Sequence, residues 1–173
     1  MLGGLLLAGA LLAAAMANGT IVQALDGGTR SASIAGASLG ALSYSHTSQV
    51  STGSVTLTVD DSTGSDLGWN VTVQSSALAY TGSFSGVPLA ASNLLIGMPG
   101  APAVVTGQAI DGANGPLAAS GGTLDTPRKV IYANAGYGKG QYTQSLPVEL
   151  TVPGMTIAGT YTATLIVDIT AGP

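Results

Sequence analysis

Hydrophobic and polar residues follow two different patterns along this chain, and the boundary between them lies near residue 17. Residues 1–17 are apolar throughout, whereas from residue 18 onward apolar and polar residues alternate in short runs. Alternation with a period of two is typical of a β-strand with one buried face. The predicted strands are Thr20–Leu25, Leu42–Ser45, Ser54–Val59, Trp69–Gln74, Asn93–Ile96, Val104–Ala109, Val130–Tyr132, Gln141–Leu146, Val148–Val152 and Tyr161–Ile169.

Clusters of Gly, Pro, Asp and Asn separate these runs, and no convincing helical period follows Ala17. Many short strands joined by such turns indicate an all-β fold, which we predict to be a single antiparallel β-sandwich of about nine strands. The sandwich domain is predicted to cover residues 18–173. Its least regular part, residues 97–126, contains Pro99, Pro102 and Pro116 and is interpreted as a loop-rich insertion.

The apolar segment 1–17 has two interpretations. It resembles the hydrophobic region of a secretory signal with a small-x-small cleavage site at Ala15-Met16-Ala17, although the usual basic residues before it are absent. As a retained helix it would be about 25 Å long, at the lower limit of a membrane span, and could also pack in a filament core. Both interpretations place the remainder of the chain outside the cytoplasm, with membrane contact only through residues 1–17.

The composition excludes several classes of function. Only 7% of the residues are charged, with four Lys and Arg against eight Asp and Glu, and the chain contains one His and no Cys. A nucleic-acid surface needs dense positive charge, and thiolate metal sites or disulfides need Cys. The 46% hydrophobic content is sufficient for a folded core. Low charge also favours a protein whose surface packs against copies of itself, since burying unpaired charges is costly.

A few polar residues are candidates for chemistry. Asp60, Asp61 and Asp66 gather three carboxylates in one predicted turn, which makes a weak candidate for a Ca²⁺ site. His46 lies in a Ser- and Thr-rich stretch and has no recognisable catalytic partner. Glu149 and Asp168 lie on predicted strands and have no recognisable partner either. We therefore expect no enzymatic activity and no cofactor apart from a weakly bound Ca²⁺.

Other positions combine a structural and a functional interpretation. Trp69 shares a strand face with Val71 and is expected to lie mainly in the core. Asn18 and Asn70 each begin an Asn-x-Thr sequence and are candidate glycosylation sites. The Gly-rich stretch 136–140 contains Lys139 but is flanked by predicted strands, so it indicates a hairpin turn and not a phosphate-binding loop.

Two segments resemble the WxL domain, a β-rich module of bacterial surface proteins. Residues 55–73 read VTLTVDDSTGSDLGWNVTV and contain a Trp-x-Val motif at Trp69 and Val71, and residues 132–173 resemble the end of that domain. Val167-Asp168-Ile169 occupies the position of the family's second Trp motif, so that Trp is absent. The resemblance implies noncovalent attachment to peptidoglycan, with Trp69 and Val71 as wall-binding residues.

The sequence thus leads to two functional hypotheses. The first is a structural subunit of an extracellular, pilus-like filament or other cell-surface assembly, in which the N-terminal segment links copies of the chain as a core helix or as a donated strand, with Thr20–Leu25 as the candidate donor. The alternative is a monomeric module that binds the cell wall. The residues expected to contact another subunit are Leu5, Leu6, Leu7, Leu11, Leu12, Ile21, Val22 and Leu25.

Overall fold

The computed structural model describes residues 23–173, and within this part the fold is built from β-strands and contains no α-helix. One 3-10 turn spans Ala91–Asn93. No helix in the described part is long and apolar enough to cross a membrane. The strands are β1 (Arg30–Ile34), β2 (Gln49–Asp61), β3 (Trp69–Ser75), β4 (Ala79–Thr81), β5 (Leu94–Ile96), β6 (Ala103–Gly107), β7 (Leu117–Ala118), β8 (Gly122–Thr123), β9 (Arg128–Ala133), β10 (Gly140–Val152), β11 (Thr160–Thr162) and β12 (Leu165–Ala171).

The strands form three antiparallel sheets, which confirms the all-β prediction. The first sheet has the order β1-β2-β10-β5-β8, and β6 also pairs with β10. The second sheet has the order β12-β3-β9-β7, and β11 and β4 form a small third sheet. Strands β2 and β10 pair over their full 13 residues and form the longest ladder of the first sheet.

The two larger sheets contribute side chains to one hydrophobic core. In the first sheet Leu57, Tyr142 and Leu146 are fully buried, and in the second sheet Trp69 and Ile131 are fully buried. The rings of Trp69 and Tyr142 lie 6.2 Å apart, so the two sheets meet directly at this point. The alternation in β2, β3 and β10 therefore arises because every second side chain enters this shared core.

The two predicted strands on either side of Pro147 are a single strand, β10. Proline lacks a backbone N–H and is normally excluded from the middle of a sheet. The carbonyl of Pro147 accepts a hydrogen bond from Gly97 N at 2.9 Å, on the side of β10 that faces β5 and β6. A residue in a strand directs its nitrogen and its carbonyl to the same side, so Pro147 removes no bond from the ladder with β2.

The predicted strand at Tyr161–Ile169 is divided into β11 and β12, which belong to different sheets. Ser76 binds the chain where β11 ends and β12 begins. Its N–H donates to the carbonyl of Thr164, and its hydroxyl accepts from Thr164 N, both at 3.0 Å. The predicted inward face is nevertheless continuous through the break. Its five residues are all half-buried and pack against the core: Tyr161, Ala163, Leu165, Val167 and Ile169.

Other strand predictions were wrong. Leu42–Ser45 forms no strand, and neither do residues 23–25 of the predicted strand Thr20–Leu25, whose remaining residues lie outside the described part. The alternation did not reveal β1, β4, β7 or β8. Three of these are only two or three residues long, too short for a period-two pattern to be recognised.

The Gly-rich stretch 136–140 is not a hairpin turn. It joins β9 of the second sheet to β10 of the first, so it connects the two sheets and not two neighbouring strands of one sheet. Gly138 has a φ of +79°, and a Cβ atom there would lie 2.6 Å from Nε1 of Trp69. A glycine is therefore required both by the backbone conformation and by the close approach of the buried Trp.

Candidate functional site

The most prominent surface feature is an open seam between the outer edges of the two larger sheets. Within the described residues, β1 pairs only with β2 and β12 pairs only with β3, yet β1 and β12 contact each other across the core. Their inward side chains are only half-buried, whereas the inward side chains of β3 are fully buried. The core is therefore incompletely covered along this side of the molecule.

The hydrophobic core has the least strand coverage beyond the end of β1. Strand β1 pairs only with Leu57–Asp61 of β2, so residues 49–56 of β2 have β10 as their sole strand partner in the described structure. After Ile34 the chain continues as segment 35–48 without forming a strand. Glycine at positions 36 and 40, together with several serines, interrupts the apolar alternation that a paired strand would require.

At this place the surface opens into a cavity of about 750 Å³, which we call the groove. One wall is formed by segment 36–45 and the other by segment 156–163. The floor consists of core residues with exposed fractions between 4% and 8%: Val55, Leu78, Leu94, Val148 and Leu150. The groove thus reaches the hydrophobic core itself, and exposed apolar side chains such as Leu42 and Ile157 form its rim.

The first wall of the groove is attached to the sheet through its backbone carbonyls. The hydroxyl of Ser51, in β2, donates to the carbonyl of Leu39 at 2.6 Å. The N–H of Met155 donates to the carbonyl of Ser45 at 2.8 Å and ties this wall to the turn after β10. These contacts hold the segment beside the groove.

Tyr161 of the second wall packs against Tyr80 of β4, which does not itself line the groove. The rings of Tyr80 and Tyr161 lie 5.4 Å apart, and the hydroxyl of Tyr161 donates to the carbonyl of Ile157 at 2.8 Å. Desolvation, with a further contribution from Tyr80, raises the pKa of Tyr161 above its usual value. No described residue that lines the groove is Asp, Glu, Lys, Arg or His.

The three carboxylates proposed for Ca²⁺ each have a partner within the protein. Asp61 is buried and forms an ion pair with Arg30 at 3.0 Å, Asp60 accepts a hydrogen bond from Ser62, and Asp66 pairs with Lys139. Among residues 23–173, no group of three acidic, His or Cys side chains is arranged to hold a metal ion. Calcium binding at these residues stays a prediction, and the geometry supplies no support for it.

Trp69 and Val71 are fully buried. The indole Nε1 of Trp69 donates to the carbonyl of Gly138 at 2.8 Å, so its only polar atom is satisfied inside the protein. The core position expected from the alternation is therefore confirmed. The wall-binding role implied by the resemblance would need an exposed surface that neither residue has in this conformation.

The remaining candidate residues are dispersed. His46 packs against Tyr44 at an exposed turn, and Glu149 and Asp168 point outward from different sheets. The Nδ2 of Asn70, the atom that a glycan would modify, donates to the carbonyl of Gly172 at 2.9 Å. Leu25 is 94% exposed. The other predicted residues, Leu5, Leu6, Leu7, Leu11, Leu12, Asn18, Ile21 and Val22, lie outside the described part.

No protein-family model matches the chain, and no curated protein and no solved structure shows significant similarity to it. The resemblance to the WxL domain therefore rests on the two sequence segments alone. The groove was not anticipated from the sequence, because its wall at residues 42–45 was assigned to a strand. The signal that could have revealed it is the Gly- and Ser-rich composition of residues 35–48.

Proposed function

We propose that this protein is a non-catalytic subunit of an extracellular, pilus-like or other cell-surface assembly, built from copies of itself. In this proposal the two larger sheets form a β-sandwich, and the N-terminal segment links one copy to the next. The observation that carries the proposal is the groove, an uncharged opening of about 750 Å³ with core residues as its floor and the exposed apolar side chains of Leu42 and Ile157 at its rim. Exposed apolar surface marks a site that binds a protein or another apolar partner, and an uncharged segment of a second copy is such a partner.

The rest of the surface supports the same proposal. The outward positions of β2 and β10 are largely Ser, Thr and Gln, and across this face the hydroxyls of Ser54 and Ser145 lie 2.8 Å apart. Asp60 and Glu149 are the charged residues among these outward positions, so a neighbouring copy that covers this surface would bury few charges. Residues 1–25 contain no charged side chain either, so the linking segment and the groove are chemically matched.

The test is the assembly state of the purified full-length protein and of a variant with Ile21→Ser, Val22→Ser and Leu25→Ser. We expect filaments or large oligomers for the natural sequence by electron microscopy and light scattering, and folded monomers for the variant. A matched control with Thr20→Ser and Gln23→Ser changes neighbouring polar residues and should assemble normally. A natural protein that stays monomeric at high concentration and sediments with purified cell wall would contradict the proposal and favour a wall-binding module.

A further inference from the structure

The course of the chain before β1 indicates which copy supplies the linking segment. Gly28 N donates to the carbonyl of Ser62 at 2.9 Å, and Ser62 N donates to the carbonyl of Thr29 at 3.0 Å. These bonds extend the β1–β2 ladder beyond the pair Arg30–Asp61. The groove begins at the opposite end of β1, beyond Ile34. The N-terminal segment therefore leaves the sheet in the direction away from the groove of its own molecule.

The chemistry of this segment fits the groove. Leu25 belongs to this segment and lies in the described part of the chain. It is almost fully exposed, so nothing in residues 23–173 covers it. Ile21, Val22 and Leu25 offer branched apolar side chains of the kind that form the groove floor. In an extended conformation the six residues of Thr20–Leu25 span about 20 Å. In such a strand Ile21 and Leu25 lie on one face and Val22 on the other, so the segment can place Ile21 and Leu25 together in one cleft.

The structure also offers backbone edges to an added strand. Within the described residues, residues 49–55 of β2 and the whole of β12 have a strand partner on one side only, whereas the carbonyl of Thr56 already accepts a hydrogen bond from Ala35 N at 3.4 Å. An open strand edge presents N–H and C=O groups that an extended peptide can satisfy. An incoming strand would therefore gain main-chain hydrogen bonds as well as apolar contacts.

We infer that the groove is the acceptor site for the segment Thr20–Leu25 of a second copy of this chain, which inserts as an extended strand and covers the floor residues. This inference rests on the proposed function and names the two surfaces that join. Because each copy has one segment and one groove at opposite ends of β1, the contact is head-to-tail, and such a contact propagates into a filament when the rotation between copies does not close a ring.

Disulfide crosslinking between single-cysteine variants tests the inference directly, since the natural chain contains no Cys. Full-length protein with Val22→Cys is mixed with full-length protein with Leu42→Cys, which lies in the groove wall and is 43% exposed. After mild oxidation we expect a mixed disulfide dimer at least tenfold above the yield of a matched control. The control replaces Leu42→Cys by Val105→Cys, which is 55% exposed on β6 and does not line the groove.

Other occupants give different results and would overturn the inference. If the chain's own segment fills the groove, a double variant with Val22→Cys and Leu42→Cys forms an internal disulfide in the monomer, and the mixture forms no dimer. If a small apolar molecule fills the groove, native mass spectrometry of the full-length protein detects it as added mass, and crosslinking stays at the level of the control. The expected double variant instead gives a ladder of covalent multimers.

A complementation experiment separates this inference from the proposed function. Leu42→Asp places a charge in the groove, so that copy can donate its segment but cannot accept one. The variant with Ile21→Ser, Val22→Ser and Leu25→Ser can accept but cannot donate. We expect each variant alone to be monomeric. Either variant, when it is added to the natural protein, should shorten the filaments because it ends a growing chain. Filaments that form normally from Leu42→Asp protein would refute the groove as acceptor while leaving self-assembly intact, whereas a natural protein without any assembly would refute the function itself.

Discussion

Arg30 and Asp61 form the most enclosed ion pair in the described part of the molecule. Their side chains are 12% and 2% exposed, and Asp61 also accepts hydrogen bonds from the backbone and the hydroxyl of Thr63. The pair fixes the register at which β1 joins β2, since the two residues are direct partners in the ladder. By contrast, the pair of Lys139 and Asp66 is largely exposed, with 45% and 72% of the side chains accessible.

This difference predicts unequal effects of removing one partner. Asp61→Ala should lower the free energy of unfolding by about 3–5 kcal/mol, because the Arg30 guanidinium stays buried without a counter-charge. Asp66→Ala should lower it by less than about 1 kcal/mol, because solvent screens the exposed pair. Urea unfolding followed by circular dichroism measures both. Replacing both buried partners by apolar residues, Arg30→Met with Asp61→Leu, should recover most of the loss; no recovery would contradict this explanation.

At the scale of elements, the position of a strand in its sheet decides how deeply its apolar face is buried. Strands β3 and β12 are direct neighbours, and both direct every second residue toward the core. The inward residues of β3 are fully buried because β12 and β9 flank it, whereas those of β12 are half-buried at the open edge. The sequence patterns of the two strands are equally regular, so periodicity alone does not distinguish them.

Equivalent substitutions in these two strands should therefore differ in cost. Val71→Ala should lower the free energy of unfolding by about 2–3 kcal/mol, and Val167→Ala by about 1 kcal/mol, because less surrounding protein loses contact at the edge. The measurement is best made by denaturant unfolding in the assembly-deficient background, where no second copy covers the seam. Equal losses at the two positions would show that β12 is as well covered as β3.

The sequence predicted these elements unevenly. Long alternating runs such as Ser54–Val59 and Trp69–Gln74 were located correctly because their side-chain period is visible in the sequence itself. Leu42–Ser45 was assigned to a strand on a short apolar pattern, but no partner strand lies beside it. Pro147 was taken as a boundary, although its nitrogen faces the gap between β5 and β6. Both errors concern pairing partners that are distant in sequence.

At the scale of the whole molecule, the few charged residues and the uncharged groove lie in different places. The buried Arg30–Asp61 pair lies at one end of β1, and the uncharged groove begins at the other end. A contact between two uncharged surfaces has no Coulomb term for ions to screen. Assembly through the groove should therefore depend on apolar burial and main-chain hydrogen bonds.

This predicts assembly that is nearly independent of ionic strength. The concentration at which half of the full-length protein is assembled should change by less than about twofold between 50 and 500 mM NaCl, because screening acts only on charged contacts. Light scattering at several protein concentrations gives this midpoint. A midpoint that rises tenfold or more with salt would mean that charged residues form the contact, and would direct attention to the exposed Lys139–Asp66 region.

The sequence by itself determined the local properties of this protein: the strand period, the inward face of most strands, the core position of Trp69 and the near absence of charge. These follow from neighbouring residues, because side chains two positions apart share one face of a strand. Only the tertiary structure decided that residues 35–48 leave one edge of β2 without a strand partner, that Asp61 is buried with Arg30, and that β1 and β12 border an open seam. Those features depend on which distant strands pair, and a period of two is compatible with many pairings.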